Sequence, residues 1–166
     1  MINLWFMNAY YSTFSYLVIH ISFHSIPFHS IPFHSIPFHS IPFHSMSLTP
    51  VELTRESFRG LLEFNSKQCK HTILKLTADW CRPCKSIKDL AAEQVANLSE
   101  CAIECYEVNI DNSLDFYAFM KKNRMVNGIP VFLFYKAGNT EFIPNDTVTG
   151  ANPPDIVAFF TRCAKV

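Results

Sequence analysis

Apolar positions along this chain change period several times, and each change marks an element. Ile73, Leu74 and Leu76, flanked by Thr72 and Thr77, form a dense run after a polar cluster and predict a short buried strand over 72–77. From Cys84 onward, Ile87, Leu90, Ala91, Val95 and Leu98 recur at three- and four-residue spacing, which predicts an amphipathic helix from 81 to about 98. Cys81 and Cys84 therefore stand where a strand gives way to a helix. Upstream, Val51 to Leu53 reads as an edge strand behind Pro50. Thr54 then caps a helix to about Ser66, with Phe58, Leu61, Leu62 and Phe64 inward. A rival start lies at Thr49-Pro50-Val51-Glu52, which has the spacing of a capping box with proline in the first turn.

Downstream, Ala102 to Asn109 alternates through Ile103, Cys105 and Val108 and predicts a second core strand. Asn109-Ile-Asp-Asn-Ser is turn chemistry leading to a helix over about 113–123, with Leu114, Phe116, Tyr117 and Met120 as its apolar residues. Val131 to Tyr135 is strongly β-prone. Lys136-Ala-Gly-Asn139 reads as a hairpin-like turn into a strand over about 140–148. Gly150 and Pro153-Pro154 punctuate the start of a last helix whose apolar face is Ile156, Val157, Phe159 and Phe160. The order β-α-β-α-β-α-β-β-α implies an α/β fold, a mixed sheet with helices on both faces.

Composition divides the chain sharply. Residues 1–45 hold no Lys, Arg, Asp, Glu, Cys or Gly, yet carry all but one of the seven histidines. Residues 1–22 form an apolar leader that reads as a candidate anchor or signal. Polar interruptions at Asn8, Ser12, Thr13, Ser15 and His20, with no basic flank or small-residue cleavage site, speak against that function. Phe-His-Ser-Ile-Pro then repeats from 23 to 42, with a truncated copy at 43–45. Proline at every fifth position forbids a helix, so 23–45 is expected to be extended and disordered. Its histidines would sit about 15 Å apart at roughly 3.1 Å per residue, too far for one preformed metal site. The repeat has the form of a tandem duplication, and Met46, where ordinary composition begins, reads as the functional start.

Residues 46–166 carry every charge and every cysteine, enough for one packed domain. The whole chain balances 14 basic against 14 acidic residues, which offers no basic stripe for nucleic acid. A domain of this size and apolar content does not need a disulfide framework, so a reducing compartment and one redox-active pair are expected.

Cys81 carries the chemistry. Unpaired backbone N–H groups and the positive end of a helix dipole favour a thiolate at that point, lowering the cysteine pKa and making it a nucleophile. Pro83 fits the first turn, where its missing N–H costs nothing. Cys84, one turn on, is placed to attack a mixed disulfide formed at Cys81. A zinc reading competes, since Cys81-x2-Cys84 and Cys101-x3-Cys105 have ligand-like spacing. The intervening helix would carry Cys101 roughly 25 Å from Cys84 at about 1.5 Å per residue. Cys105 and Cys163 read as small buried hydrophobes. Cys69, between Gln68 and Lys70, reads as exposed, open to glutathionylation or to linking two chains.

Over 46–166 the chain resembles the thioredoxin family. Trp80-Cys81-Arg82-Pro83-Cys84-Lys85 is one letter from the family's Trp-Cys-Gly-Pro-Cys-Lys, and Gly128-Ile129-Pro130 resembles its Ile-Pro, whose proline is cis. Asn109-Ile110-Asp111, the turn at Lys136-Ala137-Gly138 and Gly150 fall where the family has counterparts. The resemblance implies a thioredoxin fold and a protein-disulfide reductase. Cys81 would attack a client disulfide and Cys84 resolve it. Trp80, Pro83, Ile129, Pro130, Gly150 and Ala151 would line a flat substrate groove, with Ile129 offering backbone hydrogen bonds. The expected partners are oxidised client proteins and a thioredoxin reductase or equivalent electron donor. A cytoplasmic monomer without cofactor, metal, nucleic acid or membrane is expected. The alternatives are a disulfide oxidant or isomerase in an oxidising compartment, and a non-catalytic adaptor of the same fold.

Three departures stand out. Arg82 replaces the motif glycine, and a cation beside Cys81 favours its thiolate. Lys75 stands where the family keeps a buried aspartate, and Glu107 where it keeps the partner lysine, so the pair is expected to be reversed and to meet beneath Cys84. It would then tune the thiol pKa or move a proton. A purely structural ion pair, or Lys75 snorkelling to the surface, are the alternatives. Asp89 replaces a helix-kinking proline, so a straighter helix is expected.

Overall fold

The computed structural model describes residues 47–98 and 101–166. The apolar leader, the Phe-His-Ser-Ile-Pro repeat and Met46 lie outside the described residues. Five strands form one sheet in the order β1-β3-β2-β4-β5: β1 (Thr49–Pro50), β2 (His71–Thr77), β3 (Ile103–Asn109), β4 (Val131–Tyr135) and β5 (Asp146–Thr149). The first three run parallel, while β4 and β5 are antiparallel to their neighbours, which is the expected mixed sheet. The helices are α1 (Arg55–Lys67), α2 (Arg82–Ser86), α3 (Lys88–Ala96), α4 (Leu114–Lys122) and α5 (Pro153–Cys163).

Alternation along the strands sorts the core into two layers. Leu74, Leu76, Leu133 and Tyr135 meet Phe58 and Leu62 of α1 and Phe116 and Met120 of α4. On the opposite face, Ile73, Phe132 and Phe134 meet Ile87, Ala91 and Val95 with Ile156, Phe159 and Phe160 of α5. Central strand β2 is buried on both faces, which explains an apolar run that only Lys75 interrupts.

Thr54 caps α1, but its reciprocal partner is Ser57. The Ser57 N–H donates to Thr54 Oγ1 at 3.1 Å, and the Thr54 N–H to Ser57 Oγ at 2.8 Å. The rival cap at Thr49 is absent, because Thr49 and Pro50 form β1 instead. The strand expected at 51–53 is also displaced. Val51 still donates to Glu107 O at 2.9 Å, but the Leu53 N–H turns to Ser113 Oγ, ending the ladder.

The helix expected from 81 to 98 is two segments. Ile87, buried at φ −106° and ψ 9°, interrupts it, so replacing the family's proline by Asp89 does not leave one unbroken helix. The Ile87 side chain is buried in the layer of Ala91, Val95 and Ile156. Asp89 lies in the first turn of α3, where a carboxylate complements the helix dipole.

The strand expected over 140–148 shrinks to Asp146–Thr149. Asn139 and Asn145 capture the preceding backbone instead. Asn139 Oδ1 accepts from the Glu141 N–H, its amide donates to Ile143 O, and Asn145 Oδ1 accepts from the Lys136 N–H. Phe64 and Val157, expected on inward faces, are exposed, as is Leu114, because each lies outside the stripe its helix turns to the sheet.

Candidate active site

Strand β2 ends at Thr77, and Ala78, Asp79 and Trp80 carry the chain to Cys81. The Cys81 N–H returns to Ala78 O at 3.1 Å, a tight turn that sets Cys81 at the head of α2. Cys81 is the N-cap in extended conformation, and its Sγ accepts from the Cys84 N–H at 3.1 Å. Pro83 sits in the first turn, as expected, where no backbone donor is lost. Cys81 and Cys84 are joined as a disulfide, S–S 1.99 Å with Cα atoms 5.3 Å apart. Both are buried, packed into the layer of Leu76, Ala78 and Val108. Arg82 and Pro83 are exposed beside them.

The Ile129–Pro130 peptide bond is cis. Ile129 is half-buried and packs against the same apolar layer as the two cysteines, while Pro130 is buried. The Gly150 N–H donates to Pro130 O at 2.8 Å, and Gly150 has φ +100°, a conformation that favours glycine. Ala151, half-buried, follows it. The expected groove residues thus fall into two contacts: Ile129 with the cysteine layer, and Gly150 with Pro130.

Trp80 is 65% exposed, and its indole N–H donates to Asp111 Oδ2 at 2.9 Å. The sequence places Asp111 in a turn and in the family-like Asn109-Ile110-Asp111, without indicating its bond to Trp80. A signal for the contact existed: Thr77 and Asn109 are register partners in parallel strands, so the chains leave β2 and β3 side by side.

Lys75 and Glu107 are also register partners, and Lys75 Nζ lies 2.7 Å from Glu107 Oε2. The pair is reversed and intact. Snorkelling is ruled out for Lys75, which is 2% exposed. Glu107 has its side chain 35% exposed and lines an open depression of about 380 Å³ with Glu52, Thr77, Asp79 and Asn109. A lone buried ammonium would be very costly, and the carboxylate across the ladder offsets that cost.

Cys105 and Cys163 are buried in the opposite layer, and burial pushes both thiols up to about 12. Cys101 packs partly against that layer, and Cys69 is exposed. Cys81 and Cys84 are committed to each other, which leaves the zinc spacing without its first two ligands in this state. Among the described residues, no group of three or more His, Cys, Asp or Glu side chains is placed to hold a metal ion. Among them, too, no helix is long and apolar enough to cross a membrane.

The family model described as Thioredoxin matches residues 49–162. A Plasmodium falciparum protein named Thioredoxin 3 is 29% identical over 99 residues, covering 60% of this chain and 51% of that protein. The chain thus spans about half the length of the relative it matches. A crystal structure of thioredoxin from Trypanosoma brucei brucei is similar with TM-score 0.57 at 24% identity, covering 74% of this chain and 95% of that one. A chain from a complex of ferredoxin:thioredoxin reductase with thioredoxin f2 is similar with TM-score 0.55 at 19% identity, covering 72% and 96%. At these identities the structural likenesses speak to the fold. The match over most of its length, with that fold beneath it, makes this chain a member of the thioredoxin family.

Proposed function

We propose that this protein is a thiol-disulfide oxidoreductase that works as a protein-disulfide reductase through Cys81 and Cys84. The observation that carries the reading is the Cys81–Cys84 disulfide at the head of α2. In the reduced protein the Cys81 thiolate attacks one sulfur of a client disulfide. A bond forms to Cys81 Sγ, the client S–S bond breaks, and its electron pair leaves on the second client sulfur. The Cys84 thiolate then attacks Cys81 Sγ and expels the first client sulfur, leaving the client reduced and Cys81–Cys84 oxidised. Two electrons from a reductase restore the dithiol.

Trp80, Pro83, Ile129, Gly150 and Ala151 form the surface that receives the client chain, backed by the buried Pro130, and Arg82 favours the Cys81 thiolate. A reducing compartment such as the cytosol suits Cys69, Cys101, Cys105 and Cys163, which are all free thiols. The reductase complex among the similar structures supports a thioredoxin reductase or equivalent as electron donor, with oxidised proteins as clients.

Equilibration of the full chain with glutathione, read by mass, tests the direction of the reaction. A potential near about −270 mV supports the reductase reading. A potential of roughly −180 to −120 mV contradicts it and assigns an oxidant or isomerase role instead. Client binding that survives loss of both cysteines would favour an adaptor.

A further inference from the structure

Charge is spread unevenly around the redox pair. Arg82 directly follows Cys81 and Lys85 directly follows Cys84, both exposed, and exposed Lys88 begins α3. Asp89 is the one carboxylate between Trp80 and Ala92. On the other side of Cys81 the sign reverses. Exposed Asp79 precedes Trp80, and exposed Asp111 accepts the Trp80 indole N–H at 2.9 Å. Asp79 also lines the open depression with Glu52 and Glu107, next to Pro50 and Val51 at the β1 edge of the sheet. The disulfide stands where these two surfaces meet, since Trp80 and Arg82 are the two chain neighbours of Cys81.

The basic side has no counter-charge within the fold. Among the described residues, Arg82, Lys85 and Lys88 enter none of the ion pairs, whereas Glu107 is held by Lys75 and Asp111 by Trp80. Exposed cations in water contribute little to folding and stay open to a carboxylate that another molecule brings. The planar fork of Arg82 suits a carboxylate well, because it can donate two parallel hydrogen bonds to it. A nucleic acid fits poorly, since its continuous run of phosphates would also cross Asp79 and Asp111.

We propose that this split selects the client: the redox face takes disulfides of oxidised proteins whose reacting cysteine has acidic residues on one side only, the side laid along α2, where Arg82 and Lys85 pair with them. This selection rests on the Cys81–Cys84 exchange proposed above and names a client class for it. The chemistry is unchanged. Two electrons pass from the Cys81–Cys84 dithiol to the client disulfide, which leaves as two thiols while Cys81–Cys84 closes. Arg82 and Lys85 act on docking, as specificity residues. Acidic residues on the client's other side meet Asp79 and Asp111 and are repelled. The chain carries 14 basic and 14 acidic residues, so it has no net pull on acidic proteins at large; the arrangement of charge decides.

The test is single-turnover reduction, by the pre-reduced full chain, of short single-cysteine peptides oxidised to symmetrical dimers. One dimer is uncharged, one has aspartates before the cysteine, and one has them after it. Each rate is divided by the rate with dithiothreitol, an uncharged dithiol, which removes the intrinsic reactivity of the peptide. At low ionic strength one acidic dimer is expected to react about fivefold faster than the uncharged one, the scale of exposed charge pairs, and the other acidic dimer more slowly than the uncharged one. At about 1 M salt, where charges are screened within about 3 Å, the rates should converge. Arg82→Gln combined with Lys85→Gln should abolish the preference, and Arg82→Lys should keep most of it. The ratio to the uncharged dimer is the readout, because a change in Cys81 reactivity alters every rate alike. Equal ratios for the two acidic dimers, or a preference that survives the double variant, overturn the proposal and leave the exchange reaction standing. Failure of the unaltered chain to reduce any dimer would overturn the oxidoreductase reading itself, and this selection with it.

Discussion

The indole N–H of Trp80 donates to Asp111 Oδ2 at 2.9 Å, tying the residue before the redox pair to the turn that follows β3. Trp80 is otherwise mostly in water, so this bond fixes the angle at which its ring lies beside Cys81. Asp111→Ala should free the ring and lower client reduction by roughly fivefold, the equivalent of one hydrogen bond of about 1 kcal/mol. Asp111→Asn, which keeps an acceptor oxygen, should recover most of that loss. Steady-state reduction of a disulfide-bonded protein by the two variants is the check.

His71 supplies a pH dependence away from the redox pair. Its Nδ1 accepts from the Ala137 N–H at 2.9 Å, a role open only to the neutral ring. Burial, and then the nearby Lys136, hold its pKa below the ordinary histidine value. The folded pKa therefore lies below the unfolded one. The stability this bond contributes is fully present above the unfolded value of about 6.5 and is lost as pH falls through the folded value. Denaturant midpoints should fall as pH drops below about 6.5, and His71→Phe should flatten that part of the curve.

The remaining cysteines should differ sharply in reactivity. Cys69 is exposed at the left-handed end of α1, with φ +57°. Cys105 and Cys163 are buried, their thiols held up at about 12. With the Cys81–Cys84 disulfide intact, iodoacetamide at neutral pH should label Cys69 and leave Cys105 and Cys163 untouched until the protein unfolds. Peptide mass mapping before and after denaturation reads the outcome; labelling of Cys105 in the native protein would contradict the packing.

Much of the frame was legible because local pattern and tertiary demand agreed. The runs at 72–77 and 131–135 are apolar on both faces because both strands lie between two helical layers, and Thr54 is a cap by chemistry alone. The motif at 80–85 carried the redox pair, and the resemblance to the thioredoxin family carried the expectation that Lys75 and Glu107 pair. Misreadings fell where side chains compete with the backbone. Asn139 and Asn145 dissolve the expected strand over 140–145, and Ser113 takes the Leu53 N–H from 60 residues away. The Trp80–Asp111 bond joins residues 31 apart and needed the register of β2 against β3 before it was visible.

The most direct measurement is trapping of the mixed disulfide. The full-length chain carrying Cys84→Ser is mixed with an oxidised client protein, and covalent adducts are mapped by mass. A thiol-reducible adduct through Cys81 that accumulates in Cys84→Ser, resolves in the unaltered chain and is missing from Cys81→Ser is the predicted result. An adduct that maps to Cys69, or forms equally well in Cys81→Ser, would contradict a nucleophile at the head of α2.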